Sequence, residues 1–385
     1  LGDEGYRIFF PLSAFYAAVW PFMWVVALQF DLPLAHTVPA SLWHAHEMLV
    51  GAFGAALIGF LTSAVPEWSD TPRLQHRALW ALAALWGIGR IIGIWGWDGA
   101  GLIGAIADLG WMAALVGYLA RISIQKWTDR LAAFVFWLIL LSVLLAATRV
   151  YFTLGAFENA TMTLRLFGLG FLALLGLALA RITVPITNLI LDPSEQTSPF
   201  RAHPGRLNLA PGLVLMAMVG DASGLSMAAS GYLYIAAGAA FLDRVAEGFV
   251  GKAAFQSEVM ILWLTSALAG LGLCVVGASR LGAPISEITG LHIAFMGGLG
   301  LGVLAVFSIA GLLHSGLTLG LGRAAKCAIC ILLMAVMFRV LPDVTGWVPI
   351  FGNAYVLPST LWACAFLTWL VAYWPIVSSQ PRQTP

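Results

Sequence analysis

The sequence predicts an all-α integral membrane protein of about twelve transmembrane helices, read as one polytopic domain over residues 1–385. Three observations predict it. Hydrophobic residues make up 61% of the chain and charged residues 10%, against about 25% charged in soluble domains. The mean hydropathy is +0.91. The apolar residues also fall in runs long enough to cross a bilayer, which takes ~20 residues as helix. A net charge of +1, from 19 Lys+Arg and 18 Asp+Glu, leaves no basic field for nucleic acid and no acidic tail.

Breaks at Pro, Gly or charge delimit runs near 8–30, 42–65, 77–95, 99–121, 131–153, 160–187, 209–227, 230–243, 254–278, 285–311, 323–341 and 354–376. The first is too long for the apolar core of a signal peptide and reads as a span. The second opens after Pro39, with Ser41 as candidate N-cap. Arg77 opens the third, Arg121 closes the fourth, and Gly155 follows the fifth. The sixth is overlong, and Pro185 is expected to end or kink it. The seventh and eighth are short and rich in Gly, Ala and Met, and read equally as one broken helix pair. Arg280 closes the ninth, Pro284 precedes the tenth, Arg323 opens the eleventh, and the last is Trp-rich.

Basic residues set an orientation. Arg73 and Arg77, then Arg121, Lys126 and Arg130, then Arg201 and Arg206, then Arg244 and Lys252, then Arg323 and Lys326 all occupy even-numbered loops. The positive-inside rule therefore puts those loops and both termini in the cytoplasm. Cys274, Cys327, Cys330 and Cys364 lie in apolar runs and say little about compartment; the Cys327–Cys330 spacing lacks the following His of a c-type haem attachment.

Five arginines break the rule. Arg90, Arg149, Arg165, Arg280 and Arg339 fall near the outer ends of their spans, where charge is costly. The carboxylates Glu47, Asp108, Glu158 and Glu287 lie on the same side and could balance them. Snorkelling to lipid phosphate is the plainer alternative. Asp108, near mid-depth, calls for a partner such as Arg90 or Arg149.

Histidine is the second anomaly. Trp43-His44-Ala45-His46-Glu47 places two of seven histidines in one span. At ~100° per residue, His44 and His46 point about 200° apart, so they serve two neighbouring pockets rather than one metal. Glu47, three residues after His44, is in reach as an orienting carboxylate. His292 lies about 10 Å inside the outer boundary of the tenth span, a similar depth. Two neutral imidazoles at equal depth suit the axial positions of a b-type haem, so His44 or His46 would pair with His292 as metal ligands. Haem propionates would in turn occupy Arg90, Arg149 and Arg165. The glycines Gly290, Gly297, Gly298, Gly300 and Gly302 suit either a flat macrocycle or close helix packing. His314, ~33 Å further along the same helix, falls at the cytoplasmic edge. His36, His76 and His203 read as ordinary loop residues.

Several blocks resemble the NnrS family: Tyr6-Arg7-Ile8-Phe9-Phe10-Pro11, Leu42-Trp43-His44-Ala45-His46-Glu47-Met48, Gly59-Phe60-Leu61-Thr62-Ser63-Ala64-Val65-Pro66, Gly89-Arg90, Ala107-Asp108-Leu109, Leu291-His292 and His314-Ser315-Gly316. The resemblance covers most of the chain. It implies a protein of the bacterial inner membrane that contains haem and copper and is linked to defence against nitric oxide. It thereby implies nitric oxide or another diatomic ligand as partner, a quinol or other respiratory electron donor, and a cofactor role for His314. Trp263 stands where the family pattern tends to place a His, which puts the copper in question. In outline the layout also resembles haem–copper oxidase catalytic subunits, at the level of fold alone.

The residues thus favour a haem-binding membrane protein in nitric oxide response or membrane redox chemistry, as an oxidoreductase or as a ligand-binding protein. A secondary transporter, for which Asp108 and the broken seventh and eighth spans would speak, and an accessory or assembly subunit of a respiratory complex are the alternatives.

Overall fold

The computed structural model describes residues 1–29, 37–95, 98–201, 203–346 and 354–379. Among them there is no strand, as expected where lipid leaves every backbone group to be satisfied within its own helix. Twelve helical runs match the twelve apolar runs one to one. They are α1 (Gly5–Gln29), α2 (Ala40–Ser69), α3 (Arg77–Trp95), α4 (Gly101–Gln125), α5 (Ala132–Leu154), α6 (Phe157–Leu191), α7 (Arg206–Ala222), α8 (Met227–Arg244), α9 (Ser257–Arg280), α10 (Glu287–His314), α11 (Arg323–Thr345) and α12 (Val356–Ser378). Ten are long and apolar enough to cross a membrane. The other two are α7 and α8, of 17 and 18 residues. They are separate helices, joined by a turn in which Gly224 takes a φ of +69°.

α6 does not end at Pro185 but runs on to Leu191. In an apolar span a helix that stopped would strand its backbone groups, so proline is tolerated within it. α2 and α10 share an irregularity that composition does not reveal. Each changes from α to π winding partway along, at Glu47–Phe53 and Ile293–Gly300, and then resumes as α-helix.

The chain packs as two compact units, Leu1–Gly168 with Trp369–Pro385, and Leu169–Thr368. In the first, α1 packs on α2, α3 joins α1 and α2, and α4 packs on α3 and α5. Buried Arg7 ties α1 to the end of α12 by donating to the Val377 (2.9 Å) and Ser379 carbonyls. In the second, α7 through α11 pack in sequence, each on the next.

Helix contacts explain the glycines of α10, above all those with α9. A Cβ on Gly290 would lie 2.6 Å from the Val276 backbone nitrogen, and one on Gly298 would lie 2.7 Å from the Ala269 Cα. Gly297, Gly300 and Gly302 are likewise closed by Leu268, Trp362 and Leu175. Helix packing therefore fills the space that a macrocycle reading of these glycines requires.

Candidate functional site in the first unit and its counterpart in the second

His46 is the last α residue of α2 before the π turn, and Glu47 is the first within it. Both are fully buried. His46 Nδ1 lies 2.9 Å from Glu47 Oε1. A carboxylate only accepts, so Nδ1 carries a proton, and in the neutral ring Nε2 keeps its lone pair. Nε2 has no hydrogen-bond partner; Asp108 Oδ2 is 3.9 Å away. Trp43 stacks on the imidazole, with ring centroids 5.5 Å apart and planes 6° from parallel, and Phe152 of α5 closes another side at 5.9 Å.

Around this pair, four helices bring together a buried ionic network. Tyr16 of α1 donates its hydroxyl to Glu47 Oε2. Arg90 of α3 sits 3.4 Å from the same oxygen and donates to Asp108 Oδ1 of α4 at 2.7 Å. Arg149 of α5 donates to Asp108 Oδ2. Two guanidiniums thus meet two carboxylates, and the cluster is neutral as a whole, which is what a low-dielectric interior demands. Gly93 makes the approach of α3 to α2 possible, because a Cβ there would lie 2.5 Å from Glu47 Oε2.

His44 faces elsewhere. Its ring lies against Trp24 of α1, with centroids 4.7 Å apart, and it is half-buried. The imidazole that Glu47 orients is therefore His46, its chain neighbour, and not His44 one turn back. Arg165 is half-buried on α6, and Glu158 opens that helix.

The second unit holds a counterpart. His292 is the last α residue of α10 before its π turn. Its Nδ1 is 2.8 Å from the Ile288 carbonyl oxygen. A carbonyl also only accepts, so Nε2 again keeps the lone pair. On the same helix Thr289 donates to Asp343 Oδ2 at 2.7 Å, and Arg339 of α11 reaches that oxygen at 3.4 Å. Arg280 of α9 bridges Asp221 of α7 and Glu287 of α10 (Nε to Oε1, 3.2 Å), and stands 4.4 Å from the Tyr234 ring centroid. Tyr234 and Ser230 donate to Asp221 as well.

Arg90, Arg149, Arg280 and Arg339 are thus met by carboxylates. Sequence reasoning named Glu47, Asp108 and Glu287 for this. It missed Asp343, although the Arg339 i,i+4 spacing signals it, and it missed Asp221, Tyr16 and Tyr234.

His314 ends α10 and is half-buried. Trp263 donates its indole N–H to the Ala254 carbonyl at 3.0 Å, so it pins the segment after α8 instead of offering a ligand. His203 and His76 lie in loops, and His36 lies outside the described residues. Among the described residues no three His, Cys, Asp or Glu side chains are grouped to hold a metal ion by themselves.

The chemistry of the two histidines fits a haem iron or another metal that brings further ligands of its own. Each presents a neutral imidazole with Nδ1 anchored, the arrangement in which metal-binding histidines are held. A family model described as NnrS protein matches residues 1–382. No curated protein and no solved structure matches the chain.

Proposed function

The chain belongs to the NnrS family, and on that premise we propose that it is a haem-binding membrane protein of the nitric oxide response, with His46 and His292 as iron ligands. What supports the reading most is the Nε2 of His46. It is buried inside a spanning helix with no hydrogen-bond partner, while Nδ1 is held by Glu47. A buried polar atom left unsatisfied costs about 1–3 kcal/mol, and a metal ion is the partner that this lone pair suits.

Haem, when bound, supplies an iron that carries electrons and takes up nitric oxide or another diatomic ligand at an open position. The chain's own residues do the rest. Glu47 fixes the tautomer of His46 and raises its basicity. Tyr16 and Arg90 hold Glu47 in turn. Trp43 keeps the ring plane fixed. The Ile288 carbonyl does for His292 what Glu47 does for His46. Arg90, Arg149 and Arg165 are the propionate candidates, the first two shared with Asp108. Copper as a second cofactor, an inner-membrane location and a quinol or other respiratory donor complete the proposal and rest on the family alone.

The test is an absorption spectrum of the detergent-purified protein, oxidised and reduced, with a pyridine haemochrome assay and metal analysis. A Soret band and sharp reduced α and β bands are expected, both altered in His46→Ala and His292→Ala. A band lost in only one of the two variants assigns the iron to that histidine alone. A colourless, iron-free protein from haem-replete cells refutes the proposal and favours transport or assembly.

A further inference from the structure

A cavity of about 430 Å³ opens in the first unit where α2 ends and the segment 126–131 joins α4 to α5. Its lining includes Glu67, Asp70, Lys126, Thr128 and Arg130, with Trp68 and Leu131 as apolar walls. Two acids and two bases therefore share one cavity.

Their pairing is incomplete. Lys126 Nζ donates to the backbone carbonyl of Asp70 at 2.7 Å, yet the Lys126 ammonium and the Asp70 carboxylate form no ion pair with each other or with any other described residue. Glu67 reaches out to Arg73 at 3.1 Å. The Thr128 hydroxyl accepts from the Arg130 backbone N–H at 3.2 Å, which leaves its own hydrogen to donate.

The backbone that frames the cavity is strained. Trp127 has a φ of +48°, a region that bulky side chains avoid, while Asp70 at +49° is the left-handed cap of α2. Trp127 is held out, 94% exposed, while Ser123 Oγ grips the Thr128 carbonyl at 2.6 Å.

We propose that this cavity binds the zwitterionic headgroup of a membrane phospholipid. Lys126 and the Thr128 hydroxyl meet the phosphate, and the Asp70 carboxylate meets a primary ammonium. The Lys126 ammonium and the Asp70 carboxylate, charges of opposite sign that form no ion pair with each other, are complementary to a ligand carrying both. The cavity's place at the ends of two spanning helices, the apolar walls of Trp68 and Leu131, and an exposed Trp127 suited to the membrane–water interface point to a lipid rather than to a soluble metabolite.

The experiment uses the full chain in nanodiscs of phosphatidylethanolamine, phosphatidylglycerol and phosphatidylcholine with matched acyl chains, followed by native mass spectrometry of the lipids retained. Phosphatidylethanolamine is expected to be retained about fivefold over phosphatidylglycerol, the factor that one charge near a membrane surface contributes. Asp70→Asn, which tolerates the left-handed backbone, should bring the two near parity. Lys126→Met should lower retention of both. Equal retention of all three headgroups by the unmodified chain overturns the proposal, as does a preference that survives both substitutions. Displacement of the bound lipid by soluble glycerophosphoethanolamine overturns the membrane source. No arm depends on haem.

Discussion

Asp108→Asn tests the ionic network at its centre. Asp108 is fully buried and its two oxygens serve two arginines, Arg90 at 2.7 Å and Arg149. The substitution keeps size and shape but leaves two buried guanidiniums against one carboxylate, Glu47. Breaking a buried pair by removing one partner costs about 3–5 kcal/mol, out of a typical total stability of about 5–15 kcal/mol. Adding Arg149→Met removes the surplus charge and keeps the aliphatic stem. Replacing both partners of a buried pair is often neutral, so the double variant should recover at least ~2 kcal/mol of the loss. Reversible denaturant unfolding in detergent, run on both single variants and the double, reads the coupling directly. If Asp108→Asn lies within about 1 kcal/mol of the unmodified chain, or the double variant loses the sum of the singles, the network does not balance charge as described.

Three further outcomes follow from the same structure. Tyr16→Phe deletes the hydroxyl that donates to Glu47 and should cost about 1–3 kcal/mol in the same assay; no change would mean that Glu47 is held without it. Gly290→Ala drives a Cβ to 2.6 Å from the Val276 backbone nitrogen and should cost about 1–3 kcal/mol, whereas Gly117→Ala in α4 meets nothing within 4 Å and should be neutral or gain up to about 1 kcal/mol; thermal unfolding that moves both alike would refute the packing account. Asp192 accepts from Ser194 and from the Thr197 hydroxyl and N–H, which holds its carboxyl down to about 2. Its folded value is below its unfolded one, so the stabilisation is present above about pH 4 and is lost as pH falls through about 2. Protection of the amides of residues 192–201, relative to their intrinsic exchange, should fall over that window, and Asp192→Asn should lower it above about pH 4 and converge with the unmodified chain below about 2.

The sequence displays what composition and charge can carry. The spans are legible because lipid demands long apolar runs, and Arg90, Arg149, Arg280 and Arg339 stand out because charge in such runs needs a reason. The candidate carboxylates Glu47 and Asp108 were legible on the same ground. Tyr16 was not, because a phenol in an apolar run looks like any interfacial aromatic until α1 is packed on α2. Asp221 and Tyr234 meet only when α7 folds against α8. The glycines of α10 could be read two ways, since backbone contact and cofactor contact ask for the same absence of a side chain. Only the 2.6 Å approach of α9 decides between them.

The π turns were wholly illegible, and they bear on the histidines most closely. A π turn has poorer hydrogen-bond geometry than the α turn it replaces and persists mainly where it changes what the helix presents. Here one follows His46 immediately and the other follows His292 immediately. In both helices the first section is short, seven residues in α2 and six in α10, and the α-helix resumes beyond the π turn. In both, the imidazole just before the turn has Nδ1 bonded to an acceptor, a carboxylate in one case and a backbone carbonyl in the other. Close packing accompanies the second turn, where Gly298 meets Ala269, but it does not by itself place either turn at the residue after a histidine. Under the proposed iron ligation, a shared requirement on the direction of the Nε2 lone pair would. The same requirement would account for Glu47, whose burial is costly, standing at the first position of the turn, where it reaches the histidine beside it.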